Sequence, residues 1–262
     1  MTAIDILSEL NSNKVVAELK AGKRLDGRKI DEYREIKIEN GISENADGSA
    51  RVKLGDTDVI FGVKMIVGEP YPDSPDKGSI SVGVELLPLA SPLFESGPPR
   101  EAAIELSRVV DRGIRESKAL DFKDLCLVEG EKVLVAFIDG YTINHAGNLF
   151  DACSIAAMSS ILEARIPKIE DNKIVHGEYG NKLKVKRKPV LNTFAKIGST
   201  IVADPSLAEE KAMDARFSVS VTEDDYMCAF QKGGSGSFTG AEISGMIETA
   251  FKNSKNIRKL FK

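Results

Sequence analysis

The chain has 262 residues, 42% hydrophobic and 29% charged, with a net charge of −4 and a pI near 5.5. That is enough for one large domain or two closely packed halves, and no stretch reaches the apolar length of a membrane span, so no membrane partner is expected. The acidic balance does not fit a free-standing nucleic-acid binder, which carries a broad basic excess, so any nucleic-acid contact has to be local.

From Ile4 to Lys20 apolar residues recur at helical spacing (Ile6, Leu7, Leu10, Val15, Val16, Leu19) and stop near Gly22, which predicts an N-terminal docking helix over 1–22. Early acids and the lack of an apolar run set it apart from a secretory leader, and the expected place is the cytoplasm. Residues 23–262 form the domain it docks on. They open with R-L-D-G-R-K-I-D-E-Y-R from Arg24, three arginines and three acids around one glycine. This reads as a surface turn with Asp26 capping locally, or as arginines that can reach an anion.

Alternating runs at 34–41, 49–55 and 57–70, broken by Gly, Asn and Asp, predict antiparallel strands. The aperiodic loop 68–79 carries three prolines and Tyr71, the most exposed-looking aromatic in a chain without Trp, and the strand pattern resumes to residue 90. Arg100 to Lys118 switches to a helix with one apolar stripe (Ala102, Ala103, Leu106, Val109, Val110, Ile114). Arg108, Arg112 and Arg115 are spaced i, i+4, i+7, so they share the opposite face. A row of guanidinium forks can track phosphates, or it can be neutralised in surface pairs by Glu105, Asp111 and Glu116; on the residues alone the two readings stand equal. Arg100 at the helix start is a further candidate contact.

A strand pair over 125–144 leads into Asn-His-Ala-Gly-Asn-Leu-Phe-Asp from Asn144 and a helix, Phe150 to Glu163, apolar almost all round and therefore expected at the centre. A glycine turn opening a helix offers backbone N–H groups to an anion, yet Leu149 and Phe150 stand where polar or basic residues would serve a phosphate. The second half repeats the order: strands in 183–204 and 217–234, then a helix from Gly240 to Phe261, with Ser237 or Thr239 as its N-cap. The glycine-rich stretch from Lys232 lacks the order of a phosphate-binding P-loop. The acids of Asp204–Glu210 read as a solvated helical turn, and the basic run 182–188 as a solvated face. Cys126, Cys153 and Cys228, spaced without a pair motif, are expected as buried small hydrophobes. His145 and His176 are expected at the surface or hydrogen-bonded, with no metal site. The whole is an α+β chain of two pseudo-repeated strand-plus-helix halves packed as one compact unit.

The charged run from Arg24, E-L-x-R-x-x-x-R-x-x-R from Glu105, Asp139-Gly140, G-x-x-x-D-A-x-x-x-A from Gly147 and Q-K-G-G-S-G-S-F-T from Gln231 together resemble the RNase PH family of phosphorolytic 3′ exoribonucleases over nearly the whole chain. Within it the chain is most similar to the archaeal exosome subunit that pairs with the catalytic RNase PH-like subunit. The resemblance implies an RNase PH-like fold over 23–262, a hexameric ring of three heterodimers, and cap proteins with RNA-binding domains. It also implies a single-stranded RNA 3′ end as ligand, held by Arg108, Arg112, Arg115 and Arg100.

Active members hold the attacking phosphate on a Gly-Thr/Ser-Arg element; the matching positions here are Asn148, Leu149 and Phe150, a degenerate phosphate site. They also carry two aspartates six apart. Six before Asp214 stands Ala208, with Glu209 and Glu210 beside it, so the first acid is missing or Glu209 stands in. The resemblance thus implies no catalytic residue and no cofactor in this chain, with inorganic phosphate and Mg²⁺ used by the partner subunit.

Overall fold

The computed structural model describes residues 3–170 and 173–261, with side chains from residue 12 onward except that of His176. The expectation for His176 therefore lies outside the described residues. α1 spans Ala3–Lys20 and rests on α4 (Leu207–Ala212). Its Val15 and Leu19 are buried with Ala195, Ile197 and Val202.

The first sheet contains β1 (Ile36–Asn40), β2 (Gly48–Leu54), β3 (Thr57–Gly68), β4 (Ser79–Glu85), β5 (Cys126–Val128) and β6 (Lys132–Asn144), in the order β1-β2-β3-β6-β4 with β5 also on β6. β1, β2 and β3 pair antiparallel, as their alternating runs predict, whereas β4 and β6 pair in parallel. The long connection from β4 back to β6 contains α2 (Glu101–Glu116) and gives the chain length to make that parallel crossover. The second sheet, β10-β9-β11-β12, is antiparallel, formed by β9 (Val190–Ile197), β10 (Thr200–Ala203), β11 (Ala215–Val221) and β12 (Met227–Gly234). It is followed by α5 (Gly240–Arg258). Thr239, not Ser237, caps α5, in a reciprocal capping box with Glu242.

α3 (Leu149–Glu163) is the centre, as its all-round apolarity predicts: it packs on β2 and β3 on one side and on β9 on the other. The fit to β2 is close enough that a side chain at Gly48 would meet Ser160 O at 2.4 Å. The hairpin of β7 (Arg165–Glu170) and β8 (Lys173–Lys182) has no counterpart in the sequence reading. Its many charged residues hide the two apolar anchors, Ile166 and Ile169, that pack on the main core. Of the cysteines only Cys153 is fully buried; Cys126 and Cys228 are half-buried, and the Cys228 thiol donates to Ser220 O.

Candidate functional site

The charged turn from Arg24 lies at the surface with Leu25, Asp26, Gly27, Lys29, Ile30 and Glu32 exposed, and Asp26 caps it locally by accepting from Arg28 N, but its arginines turn inward. Arg24 is 3% exposed and makes a bidentate pair with Glu209, Nε to Oε1 at 2.8 Å and Nη2 to Oε2 at 2.6 Å. Its other donors reach Ala203 O and Asp204 O. Asp204, fully buried at φ +47°, accepts from Arg28 Nη1 (2.8 Å), Arg34 Nη2 (2.7 Å) and Asn148 Nδ2 (2.8 Å). The acids read as a solvated turn are thus the internal partners of the turn's arginines. A buried charge survives only when paired and hydrogen-bonded, and the two segments satisfy each other. Both carboxylate oxygens of Glu209 are engaged by Arg24. Ala208 packs toward the Val15 and Leu19 cluster, and Asp214 accepts from Gly198 N.

The same network fixes the turn before α3. Arg34 donates to Ala146 O and Gly147 O, and Thr57 Oγ1 to Gly147 O. Gly147 has φ +99°, and a side chain there would meet the backbone of Pro205–Leu207 at 2.4–2.6 Å. The glycine is required by this close approach. Asn148, fully buried at φ +52°, is the N-cap of α3 and accepts from Asp151 N.

The anion seat at this helix start is filled by the protein's own carboxylate. Asn148 N donates to Glu210 Oε1 at 2.8 Å. Leu149 and Phe150 are buried, and the Arg216 guanidinium lies over the Phe150 ring at 3.9 Å, held by Glu105 and capped by no partner at Nε. Burial pushes the Glu210 carboxyl up to about 7, against the opposing pull of the Asn148 amide, Arg216 and Arg34. His145, stacked on Phe94 and 3.8 Å from Glu210, is pushed down to about 4 by burial and by Lys211 and Arg34, so it is neutral at pH 7 and hydrogen-bonded to Gly147 N.

The raised Glu210 value has a consequence for stability. The folded state binds a proton there between the ordinary 4.5 and about 7, so this stabilisation is complete below pH 4.5 and is lost as pH rises to 7. Glu210→Gln is expected to remove that fall: in denaturant titrations the variant gains on the wild type as pH goes from 4.5 to 7.5. A difference that stays constant over this interval would contradict it.

α2 presents a different arrangement. Arg108 and Arg112 are exposed and, among the described residues, carry no ion pair or side-chain hydrogen bond. They line a groove of about 350 Å³ against Ile80–Val82 of β4. Arg115 is half-buried and engaged: Nη2 pairs with Asp111 Oδ1 at 2.9 Å and reaches Ile80 O, and the guanidinium lies over Phe122. Arg100 sits at the N-cap of α2 in an exposed pair with Glu95. Of the three acids weighed as neutralisers only Asp111 pairs within the row, while Glu105 turns to Arg216 and Gln231. The groove thus brings Arg108, Arg112 and Arg115 together and leaves Arg100 at the helix start. The sequence reading placed Glu210 in solvent and did not single out Arg216, a lone arginine in a strand.

The family description "3′ exoribonuclease family, domain 1" matches residues 32–167, and "domain 2" matches residues 189–253. A curated protein of Thermococcus gammatolerans, exosome complex component Rrp42, is 47% identical over 264 residues, covering 99% of this chain and 97% of its own. A solved structure described as the Archaeoglobus fulgidus exosome with RNA bound to the active site superposes with a TM-score of 0.93 at 41% identity, covering 98% of this chain and all of that one. A second, described as an archaeal exosome core, gives 0.90 at 37% identity and covers 99% of each.

Proposed function

The chain belongs to the 3′ exoribonuclease family, and we propose that within the exosome ring it grips RNA while a partner subunit performs the cleavage. Its full-length likeness to exosome components makes it a ring subunit of an RNA-degrading complex. One contrast carries this division of labour. Arg108 and Arg112 stand exposed beside a groove and, among the described residues, unpaired, whereas the amide at the start of α3 already donates to Glu210 and the arginine position is held by the buried Phe150.

Phosphorolysis needs inorganic phosphate held against the repulsion of the RNA backbone, because that phosphate is the nucleophile. A seat whose Asn148 amide already donates to the Glu210 carboxyl leaves that donor unavailable to a phosphate, and a neutral ring in place of an arginine removes a charge-assisted contact worth about 1.5–3 kcal/mol. Phosphate and Mg²⁺ then belong to the catalytic RNase PH-like partner, in a ring of three heterodimers under RNA-binding cap proteins, and the place of action is the cytoplasm. On this side the guanidinium row holds backbone phosphates and so positions the 3′ end without reading its sequence. None of the helices among the described residues is long and apolar enough to cross a membrane.

The test is release of nucleoside diphosphates from an RNA 3′ tail with phosphate and Mg²⁺. Activity is expected from the assembled ring and none from the lone chain. The lone Leu149→Thr/Phe150→Arg variant is also expected to stay inactive, because Glu210 still fills the seat and Ala208 supplies no acid. Phosphorolysis by either lone protein would overturn the reading.

A further inference from the structure

We propose that single-stranded RNA runs past Arg115 into a second basic groove at the C-terminal end of α2. The inference rests on the RNA-gripping role of the α2 arginines. Lys77, Arg115, Lys118, Lys123, Lys186 and Arg187 line a groove of about 450 Å³ in which Asp121 is the one carboxylate. These cations come from four separate stretches. The bridge between Leu120 and Val185, and the bond from Lys186 N to Ala119 O at 2.7 Å, lay the basic run 182–188 alongside the end of α2.

Four of the cations are held by carboxylates: Arg115 by Asp111 (2.9 Å), Lys186 by Asp121 (2.6 Å), Lys123 by Asp76 (2.9 Å) and Arg187 by Asp224 (2.8 Å). Pairs with this much exposure contribute little and exchange readily for a phosphate. Lys77 and Lys118 are exposed and, among the described residues, their side chains make no ion pair or hydrogen bond.

Continuity selects RNA as the occupant. Arg115 lines both this groove and the one that holds Arg108 and Arg112. From Arg108 to its end at Glu116 the helix advances about 12 Å, room for more than one phosphate. Tyr71 is 64% exposed on the loop that carries Lys77. A basic track with an exposed aromatic beside it suits a single strand, whose charge needs cations and whose bases need a stacking face. In a chain of net charge −4 this is local concentration of cations, not a general basic excess.

The experiment compares assembled rings carrying Lys77→Ala/Lys118→Ala/Lys186→Ala, or Arg108→Ala/Arg112→Ala, for binding of a 3′-tailed single-stranded RNA over a salt series. The lysine variant is expected to bind about ten-fold more weakly at low salt. Its slope of log affinity against log salt should be shallower by about 2, each lost phosphate contact removing about 0.7. Unchanged affinity and slope in the lysine variant, with weakened binding in the arginine variant, would overturn the second groove alone. No change in either would overturn the RNA-gripping role as well. A lysine variant that no longer joins the ring would assign the groove to a protein neighbour and also overturn the proposal.

Discussion

Asp204→Ala is expected to cost about 3–5 kcal/mol of folding stability, the range for removing one partner from a buried ionic cluster. The fully buried carboxylate accepts from Arg28, Arg34 and Asn148, and each loses a partner at once. The guanidinium of Arg34 has desolvation to overcome and is held charged chiefly by its bonds to Asp204. Left without them it stays charged in a poorly solvated place, and that is where the cost arises. The backbone adds a share, because Asp204 sits at φ +47° and alanine tolerates the left-handed region less well than aspartate. Asp204→Asn keeps the shape and the turn preference but loses the charge, so it should fall between wild type and Asp204→Ala. Denaturant unfolding of the three proteins checks the order, and an Asp204→Ala loss under about 1 kcal/mol would show that the arginines find water instead.

Arg108→Ala with Arg112→Ala, in the assembled ring, is expected to weaken binding of an RNA 3′ end by about 10- to 100-fold, or about 1.4–2.8 kcal/mol. That is close to two charge-assisted phosphate contacts reduced by their exposure. Both side chains are exposed and, among the described residues, unpaired, so the folded state loses little, within about 0.5 kcal/mol. Arg115 is left out because its pair with Asp111, its bond to Ile80 O and its place over Phe122 give it a structural share. Fluorescence anisotropy with labelled RNA measures the loss, and sizing by light scattering checks that the ring is intact. Unchanged affinity in an intact ring would make these arginines bystanders.

Much of the fold is legible in the order of residues because it rests on periodicity. The apolar wrap of 150–163 has one physical solution, burial on all sides, and α3 lies between the two sheets. The 100–118 stripe defines its own inner face, so the outward placement of Arg108 and Arg112 follows from a 3.6-residue repeat. The β7–β8 hairpin was not legible, since its charged residues outnumber the few apolar anchors and local pattern gives no register. The parallel β4–β6 pair was hidden for a related reason: a strand's sequence does not say which neighbour it will meet, or in which direction.

At the candidate site the division is sharper. The sequence by itself determined which chemistry the α3 turn lacks, because Phe150 has no charge in any conformation and Ala208 no carboxyl. Only the tertiary structure decided what fills the space: Glu210 reaches the Asn148 amide, Glu209 closes on Arg24 and Asp204 gathers Arg28 and Arg34. These partners lie 62 to 185 residues apart or in separate turns, and a charge run reads the same along the chain whether it faces water or another charge. Burial selects among the possible pairings, since an arginine out of water has to find a carboxylate, and which one lies within reach is a property of the folded chain alone.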